Sequence, residues 1–275
     1  MVSRKDRFRR PIAPNMSKSA NNRYEAILER ISANGHASVR DLTKDMEVSE
    51  ATIRRDLRML AKQQKLELVF GGATVPRGID QSLRARASRN TEAKRIIGRL
   101  AGSLVHDHQM LFVDAGTTCF EMRHDLVRRK ELTVIVNSTR LAIEIGANPD
   151  ASVLMLAGQY RPDRMDLVGP LAANSIDQLR GYVAFLGADG LDPNFGISAS
   201  EVQTAYLYQH VIRNARETIL LADHTKFAAP SLYRIGDIDS ISKVVTDRAP
   251  DEEWSQFFAS KGIELIYPGS TEPNP

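Results

Sequence analysis

Apolar and polar positions follow two different rhythms along this chain. Between residues 23 and 62, apolar side chains recur at helical spacing in three successive segments, and two short apolar runs then flank Gly71-Gly72. Apolar positions at i, i+4 and i+7 indicate an amphipathic helix, and a glycine pair between two apolar runs favours a hairpin turn. This part is therefore predicted to form three helices followed by a small β-hairpin, the order of a winged helix-turn-helix.

Polar residues mark where these helices begin and end. Asn34-Gly35 is predicted to end the first helix, and Ser38 is predicted to cap the second. A break is predicted at Glu47-Val48, and Ser49 is predicted to cap the third helix. The third helix turns one apolar stripe towards the other two helices, formed by Ile53, Leu57 and Leu60.

The second rhythm starts at about residue 93, where short apolar runs alternate with helical stretches. Strands buried on both faces are uniformly apolar, and their alternation with helices indicates a mostly parallel sheet covered on both faces. The predicted fold class is α/β, with the winged helix-turn-helix in front of a mostly parallel α/β domain. The predicted strands are Met110–Val113, Leu132–Val136, Val153–Leu156, Val183–Leu186, Thr218–Leu221, Lys243–Thr246 and Ile263–Ile266.

Shifts in composition give the domain boundaries. The N-terminal segment is polar and basic and is predicted to be a flexible arm, and the arginine-rich segment after the hairpin is predicted to be a linker. The predicted limits are 1–21 for the arm, 22–77 for the winged helix-turn-helix, 78–92 for the linker, 93–268 for the α/β domain and 269–275 for a tail.

Charge is distributed unevenly between these parts. Residues 1–95 hold 21 Lys and Arg against 11 Asp and Glu, whereas the remaining 180 residues hold 16 against 23, so the net charge of +3 hides a basic first part. A basic first part on an acidic second part indicates a polyanionic partner for the first part only. The alternative is a basic tail that is solvated and has no target.

The composition also restricts compartment and chemistry. Cys119 is the one cysteine, which leaves no internal disulfide, and the basic N-terminus lacks the apolar run of a signal peptide. The sequence contains no stretch of about 18 uncharged apolar residues, so no membrane helix is predicted. We therefore expect a cytoplasmic protein with no membrane partner. The six histidines are scattered and form no Cys/His cluster, so no metal site is expected.

The polar face of the third helix is a candidate DNA-binding surface. In a helix-turn-helix this helix lies in the major groove, where arginine bonds guanine O6 and N7 or clamps phosphate. Asp56 is expected to orient one of the helix's own arginines, because a carboxylate near phosphates is repelled. A solvated cationic face is the alternative. The candidate DNA-contacting residues are Ser49, Glu50, Thr52, Arg54, Arg55 and Arg58.

Polar residues follow several predicted strands of the second part. After the first strand comes Asp114-Ala115-Gly116-Thr117-Thr118, with a helix expected from about Cys119. Such a strand-to-helix turn offers N–H groups, hydroxyls and a positive dipole end, which suit an anion at the carboxyl edge of an α/β sheet. The alternative for each residue is ordinary loop chemistry. The candidate ligand-binding residues are Asp114, Gly116, Thr117, Thr118, Asn137, Arg161, Asp189 and Lys226.

The first part resembles the DNA-binding domain of the DeoR family of transcription regulators. The run from Thr52 to Leu57 matches the most specific part of that family's signature, and Gly71-Gly72-Ala73 matches its wing turn. The family usually has Gly, Arg and His where this chain has Gln64, Leu68 and Phe70, so the wing here is less polar.

Residues 93–248 resemble the effector domain of the same family. The matching stretches are Asp114–Thr118, Thr133–Ser138, Leu156–Arg161, Gly169, Phe185–Gly190, Gly196–Ser198, Leu221–Phe227 and Thr246-Asp247. The resemblance implies a Rossmann-like fold similar to sugar-phosphate isomerases, with phosphate held at Gly116–Thr118, Lys226 as counter-charge, and Asp114, Asn137, Arg161 and Asp189 lining the rest. Tyr208 stands where the family usually carries Lys.

The resemblance implies a repressor of a carbohydrate or polyol catabolic operon, released from its double-stranded DNA operator by a phosphorylated sugar or related metabolite. No catalytic residue and no cofactor are expected, and a homo-oligomer, dimer or tetramer, fits paired half-sites. The alternative is a sugar-phosphate isomerase-like enzyme fused to a DNA-binding head. Its candidate bases would be Asp114 or Asp189, and its candidate acid His224.

Overall fold

The computed structural model describes residues 23–28, 30–31, 36–63, 65–69, 71–74 and 83–270. Two compact units divide the chain, Met1–Asp80 and Gln81–Pro275. The predicted arm, the end of the first helix at Asn34-Gly35, the wing positions Gln64 and Phe70, and residues 271–275 of the predicted tail lie outside the described residues.

The first unit is a winged helix-turn-helix, as predicted. Its three strands pair antiparallel in the order β1-β3-β2, and Gly71 at φ 78° makes the turn between β2 and β3. Strand β1 was not predicted, because its three residues carry no apolar alternation and only pairing with β3 makes them a strand. The elements are α1 (residues 23–28 and 30–31), β1 (His36–Ser38), α2 (Val39–Met46), α3 (Glu50–Lys62), β2 (Glu67–Val69) and β3 (Gly72–Thr74).

The predicted caps are present. Ser38 Oγ accepts a hydrogen bond from Asp41 N, and Ser49 Oγ accepts one from Thr52 N. Between them Glu47 adopts φ 52°, in the left-handed region that ends α2. Each cap satisfies a backbone donor that the first turn of a helix leaves unpaired, so the break between α2 and α3 is fixed locally.

The inward face of α3 holds the first unit together. Ile53, Leu57 and Leu60 are buried against apolar side chains of α1 and α2, as predicted. Asp56 is buried beside them and accepts a hydrogen bond from Arg23 Nε of α1 at 2.5 Å. The expectation that Asp56 orients an arginine of its own helix is therefore wrong, because the carboxylate lies on the inward side of α3 and joins it to α1.

The second unit is built on seven parallel strands in the order β15-β14-β12-β9-β4-β5-β6. All seven predicted strands are present, with ends displaced by no more than one residue. The parallel α/β prediction is therefore confirmed. The strands are β4 (Met110–Val113), β5 (Thr133–Val136), β6 (Ser152–Met155), β9 (Val183–Gly187), β12 (Glu217–Leu221), β14 (Lys243–Val245) and β15 (Glu264–Ile266).

Helices cover both faces of this sheet. Successive residues of a strand point to opposite faces, so Phe112 of β4 joins one apolar cluster, whereas Leu111 and Val113 join the other. The first cluster includes residues of α8 (Pro170–Ile176), α9 (Val202–Asn214) and α10 (Glu252–Ser260). The second includes residues of α5 (Thr91–Ser103), α6 (Arg123–Leu126) and α7 (Thr139–Gly146).

Smaller strands complete the second unit. An antiparallel hairpin is formed by β7 (Gln159–Arg161) and β8 (Asp166–Val168), and a second sheet has the order β10-β11-β13. Its strands are Gly190–Asp192, Gly196–Ala199 and Tyr233–Gly236. Within the described residues, no helix combines the length and apolar character needed to cross a bilayer.

The chain order of the sheet reverses next to β4. From β4 the chain continues to β5 and β6 on one side, whereas β9, β12, β14 and β15 follow on the other. In doubly wound sheets, ligands bind outside the carboxyl ends of the strands at such a switch point. The fold therefore singles out the loops after β4 and β9.

Part of the predicted linker is helical. Residues Leu83–Ser88 form helix α4, and α5 begins at Thr91, within the range 78–92 that composition assigned to a linker. The segment is rich in arginine, which resembles a solvated stretch. One of these arginines, Arg86, instead pairs with Asp189 at 2.9 Å.

Leu57→Ala is expected to lower the free energy of unfolding of the first unit by about 2–5 kcal/mol, because it leaves a cavity between three helices. The matched control is Leu68→Ala, since Leu68 is 46% exposed whereas Leu57 is 1% exposed. Native-state hydrogen exchange of the α3 amides in the full chain measures both changes. Equal effects of the two substitutions would contradict the packing of α3.

Candidate functional site

The outward face of α3 is cationic. Glu50, Arg54, Arg55 and Arg58 are exposed. Arg54 pairs with Glu50 at 3.3 Å, one helical turn away, and such exposed pairs exchange partners at little cost. Within the described part of the chain, no ion pair is found for Arg55 or Arg58, so these two guanidinium groups face solvent.

The N-terminus of α3 carries two hydroxyl groups that bond each other. Ser49 Oγ and Thr52 Oγ1 are 3.0 Å apart, and Ser49 also caps the helix. The predicted DNA-contacting residues thus lie together at the N-terminal half and outward side of one helix. The neighbouring wing differs, because Leu68 and Val69 of β2 are about half exposed and apolar.

The carboxylate of Asp114 lies at the switch point. Its Oδ1 accepts from Gly116 N at 2.9 Å and from the Tyr208 hydroxyl, and its Oδ2 accepts from Gly187 N at 3.0 Å. Burial raises the pKa of Asp114 to about 6, against the opposing effect of the two backbone N–H bonds. Asp114 therefore joins the loop after β4 to the end of β9 and to α9.

The loop after Asp114 leaves donors available. The N–H of Gly116 is used by Asp114, and Ala115 N donates to Asn137 Oδ1 at 3.2 Å. For Thr117 and Thr118, no protein acceptor of the backbone N–H or the hydroxyl is found among the described residues. The loop therefore presents two backbone donors and two hydroxyls at the carboxyl edge of the sheet.

Two details of the predicted anion loop differ in the structure. The residues expected to begin a helix, Cys119–Met122, form a 3-10 turn that continues into the four residues of α6, so the dipole is short. Gly116 offers no unused N–H, and its part is shape, since a Cβ there would lie 2.7 Å from Asp114 Oδ2. Close approach of the carboxylate explains the glycine.

Asp189 follows β9 on the same edge, and three donors bond its carboxylate. Arg86 Nη2 donates to Oδ1 at 2.9 Å, and Ser200 donates to Oδ2 from both its N–H and its hydroxyl. Burial would raise the pKa of Asp189, but the charges of Arg86 and Lys226 and the bonds from Ser200 lower it to about 2. This carboxylate is therefore ionised at any physiological pH.

Asp223 and Lys226 follow β12 beside that pair. Asp223 is buried, and it accepts from Thr225 N at 3.0 Å and from Asn90 Nδ2 at 3.2 Å. Burial opposes ionisation of Asp223, but the charge of Lys226 and the bonds from Thr225 outweigh it, so its pKa is lowered. Lys226, a predicted site residue, thus acts on both Asp189 and Asp223.

Lys94 of α5 is a buried cation behind this edge. Its Nζ donates to the carbonyls of Arg86 and Arg89, the latter at 2.6 Å. Burial lowers the pKa of Lys94 to about 8; the charge of Asp223 opposes this shift, and nearby cations add to it. The ammonium group holds α4 and the following turn against α5.

The structure places the remaining predicted residues next to the site with their polar groups engaged. The side chain of Asn137, after β5, bonds Ala115 N and the carbonyl of Leu167. Arg161, on β7, donates to Asp166 at 2.8 and 2.6 Å and also to Glu201. Asn137 therefore supports the anion loop, whereas Arg161 fastens a hairpin to the start of α9.

Sequence reasoning missed several residues of this edge, namely Arg86, Asn90, Lys94, Ser200, Asp223 and the hydroxyl of Tyr208. Three of them lie within or just after the predicted linker. A signal was present, because Ile97 and Ala101 continue a helical stripe that a start at Thr91 explains. The arginine-rich composition favoured a linker over a helix at these positions.

A cavity of about 400 Å³ lies elsewhere in the second unit. It is lined by residues at the amino ends of β12 and β14, among them Glu217, Thr218 and Ser242. It therefore lies at the opposite edge of the sheet from Asp114, where α/β folds do not bind their ligands. The groups after β4, β9 and β12 remain the candidate site.

Two family models match the chain. A DeoR-like helix-turn-helix domain matches residues 23–78. A DeoR C terminal sensor domain matches residues 89–248, which is more than half of the 275 residues.

Curated relatives match nearly the whole chain. The glycerol-3-phosphate regulon repressor of Escherichia coli strain K12 is 27% identical over 244 residues, 88% of this chain and 97% of the relative. The HTH-type transcriptional regulator GlpR of Haloferax volcanii is 29% identical over 246 residues, 89% and 96% of the two chains. A solved ribose 5-phosphate isomerase A from Methanocaldococcus jannaschii aligns with a TM-score of 0.38 at 18% identity, over 50% of this chain and 55% of that one, which is too distant to indicate function.

Asp114→Asn and Asp189→Asn are expected to change the pH dependence of stability in different windows. Burial raises the pKa of Asp114 to about 6, so its contribution to the free energy of unfolding is complete below about pH 4 and is lost as pH rises through 6. The lowered pKa of Asp189, about 2, means that its contribution is present above about pH 4 and is lost as pH falls towards 2.

The measurement is urea unfolding from pH 2 to 8, followed by the fluorescence of Trp254, the one tryptophan, which lies in α10 of the second unit. Asp114→Asn should remove the decline in the free energy of unfolding between pH 4 and 6. Asp189→Asn should remove the decline in the same free energy below pH 4. If Asp114→Asn declines like the wild type in its window, that carboxyl is not desolvated as described.

Proposed function

The chain belongs to the DeoR family of transcription regulators, and from that premise we propose that it represses a carbohydrate or polyol catabolic operon until a phosphorylated sugar or related metabolite releases it. One observation carries the proposal: a chain with a cationic α3 also has, at a sheet switch point, a loop whose Thr117 and Thr118 N–H groups have no protein acceptor among the described residues, on the sheet edge where Lys226 acts on Asp189. Because a repressor acts on chromosomal DNA, the proposal includes a cytoplasmic location.

The relatives support the class of effector rather than its identity. The Escherichia coli relative is named as the repressor of a glycerol-3-phosphate regulon, and glycerol 3-phosphate is a phosphorylated polyol. We carry only the phosphorylated class to this chain. The residues proposed to hold the phosphate are Thr117 and Thr118 through N–H and hydroxyl groups, with Lys226 as counter-charge.

The proposed DNA contact is α3 in the major groove. Arg55 and Arg58, exposed and without ion pairs in the described residues, are suited to guanine or phosphate. Arg54 would contact DNA after its ion pair with Glu50 breaks. The Ser49 and Thr52 hydroxyls lie at the helix N-terminus, which we propose approaches the DNA backbone. A homo-oligomer, dimer or tetramer, is proposed because two such helices read paired half-sites.

The isomerase alternative has weaker support from the same geometry. A general base needs a free carboxylate with a pKa near the working pH. Asp189 is paired with Arg86, and its pKa of about 2 makes it a poor base. Asp114 accepts hydrogen bonds from two backbone N–H groups, the Tyr208 hydroxyl and the Cys119 thiol, and His224 is engaged through Nδ1 with Asp247 at 2.9 Å. The arrangement favours binding over proton transfer.

Replacing Arg54 or Arg55 by Ala is expected to weaken binding to a selected duplex by about 1–3 kcal/mol if the residue reads a guanine. The duplex is the tightest one recovered by the full chain from a random library. Arg95→Ala removes the same charge from an exposed position on α5 and serves as control.

Binding is measured at several salt concentrations, since phosphate contacts set the salt slope. A base-reading arginine lowers affinity for the selected duplex more than for random DNA, whereas a phosphate contact weakens both alike. If neither arginine variant changes affinity, α3 is not the reading helix.

Thr118→Val and Lys226→Ala are each expected to abolish release from DNA by the inducing metabolite while leaving DNA affinity intact. Both remove groups that we propose contact the ligand, and a ligand shifts an equilibrium only through its differential affinity for the two states. The measurement is DNA binding titrated with phosphorylated sugars and polyols and their unphosphorylated counterparts.

Lys261→Ala is the control for loss of a lysine, because Lys261 pairs with Asp239 outside the site. If both variants are released from DNA at the same ligand concentration as the wild type, the phosphate does not bind at Thr118 and Lys226. Release of the wild type by the unphosphorylated compounds alone would overturn the effector class.

A further inference from the structure

Helix α4 is the first described element of the second unit, and it brings a guanidinium group to the candidate effector site. Arg86 Nη2 lies 2.9 Å from Asp189 Oδ1, and the two side chains are 26% and 21% exposed. This aspartate follows β9 at the switch point. The chain therefore enters the second unit through a helix that contacts the same edge as the anion loop.

Polar contacts hold α4 and the turn behind it. Leu83 N donates to the carbonyl of Asp163 at 2.9 Å, Arg86 pairs with Asp189, and Asn90 bonds Asp223 at 3.2 Å. Lys94 Nζ donates hydrogen bonds to the backbone carbonyls of Arg86 and Arg89. Among the α4 residues whose burial is described, none is fully buried. The docking of α4 thus depends on charge, and a charged ligand at this edge would alter it.

Cations and carboxylates are concentrated together at this edge. Arg86, Arg89, Lys94 and Lys226 all act electrostatically on one another or on the same acids. The acids are Asp189 and Asp223, and Asp114, which Arg86 also influences, is a third. An anion bound at Thr117–Thr118 would offer the Arg86 guanidinium an acceptor in addition to Asp189.

We propose that Arg86 contacts the bound anion, so that ligand binding fastens α4, the helix through which the chain enters the sensor unit. The inference rests on the proposed function, because it takes the anion loop as the effector site. Ligand and α4 then share one binding equilibrium: an anion that is held by Arg86 stabilises the docked helix, and a docked helix improves the anion site. The covalent path from the sensor to the winged helix-turn-helix starts at that helix.

The test uses inorganic phosphate as probe and the full-length protein. Phosphate affinity is measured by calorimetry for wild type, Arg86→Ala, Arg86→Lys, Thr118→Val and Arg95→Ala, and hydrogen exchange of the amides of residues 83–94 is followed with and without phosphate. Arg95, exposed on α5 and paired only loosely with Glu92 at 3.6 Å, is the charge-matched control. Thermal unfolding shows whether each variant is folded, and Arg86→Lys keeps the charge should Arg86→Ala not fold.

In the wild type, phosphate should slow exchange across residues 83–94. Arg86→Ala should bind phosphate about tenfold or more weakly, the loss of one charge-assisted contact, and should lose that protection. Arg86→Lys should fall between them, because a point charge replaces a two-pronged donor. Arg95→Ala should behave as the wild type.

Three other results overturn the inference and remain distinguishable from one another. If Arg86→Ala, or Arg86→Lys where only that variant folds, binds phosphate as the wild type does while Thr118→Val does not, the anion site stands and the role of Arg86 falls. If binding needs Arg86 but exchange in residues 83–94 does not change, the fastening of α4 falls. If phosphate does not bind the wild type, or binds Thr118→Val equally well, the anion loop itself is wrong, and the proposed effector site falls with the inference.

Discussion

The buried carboxylate of Asp114 is the contact on which the candidate sensor site depends. It lies where the chain order of the sheet reverses, and it accepts hydrogen bonds from the loop after β4, from the end of β9 and from Tyr208 on α9. A buried acid is tolerated only when its oxygens are satisfied, so these three elements are held in one arrangement. That arrangement commits the N–H of Gly116 and leaves those of Thr117 and Thr118 without a protein acceptor among the described residues.

Charge holds this edge together. Asp189, which is partly buried, has its pKa lowered by the charges of Arg86 and Lys226, and buried Asp223 has its pKa lowered by the charge of Lys226 and the bonds from Thr225. Compensated charges hold α4 against the strand ends without a deep apolar contact. Contacts of this kind are strong in a partly buried site, yet a competing anion can redistribute them.

In the first unit, the two sides of one helix, α3, have different roles. The inward side of α3 builds the core through Ile53 and Leu57, and its outward side keeps Arg55 and Arg58 in solvent. Asp56 belongs to the inward side, where it pairs with Arg23 of α1. The acid within the arginine-rich run therefore joins α3 to α1, and Arg54, Arg55 and Arg58 stay exposed on the opposite side of α3.

The sequence by itself determined the elements and their class. Helical stripes, capping serines and uniformly apolar runs are local signals, and they located α2, α3 and all seven strands of the parallel sheet within a residue or two. They also located the Asp114–Thr118 turn and Lys226, since polar residues after buried strands are visible along the chain. Only the tertiary structure decided which polar groups meet. The pairings of Arg86 with Asp189, of Tyr208 with Asp114 and of Arg23 with Asp56 join residues 103, 94 and 33 positions apart. No local pattern encodes such pairings, because the sign and size of a charge's effect depend on distance and burial, which exist only once the chain has folded.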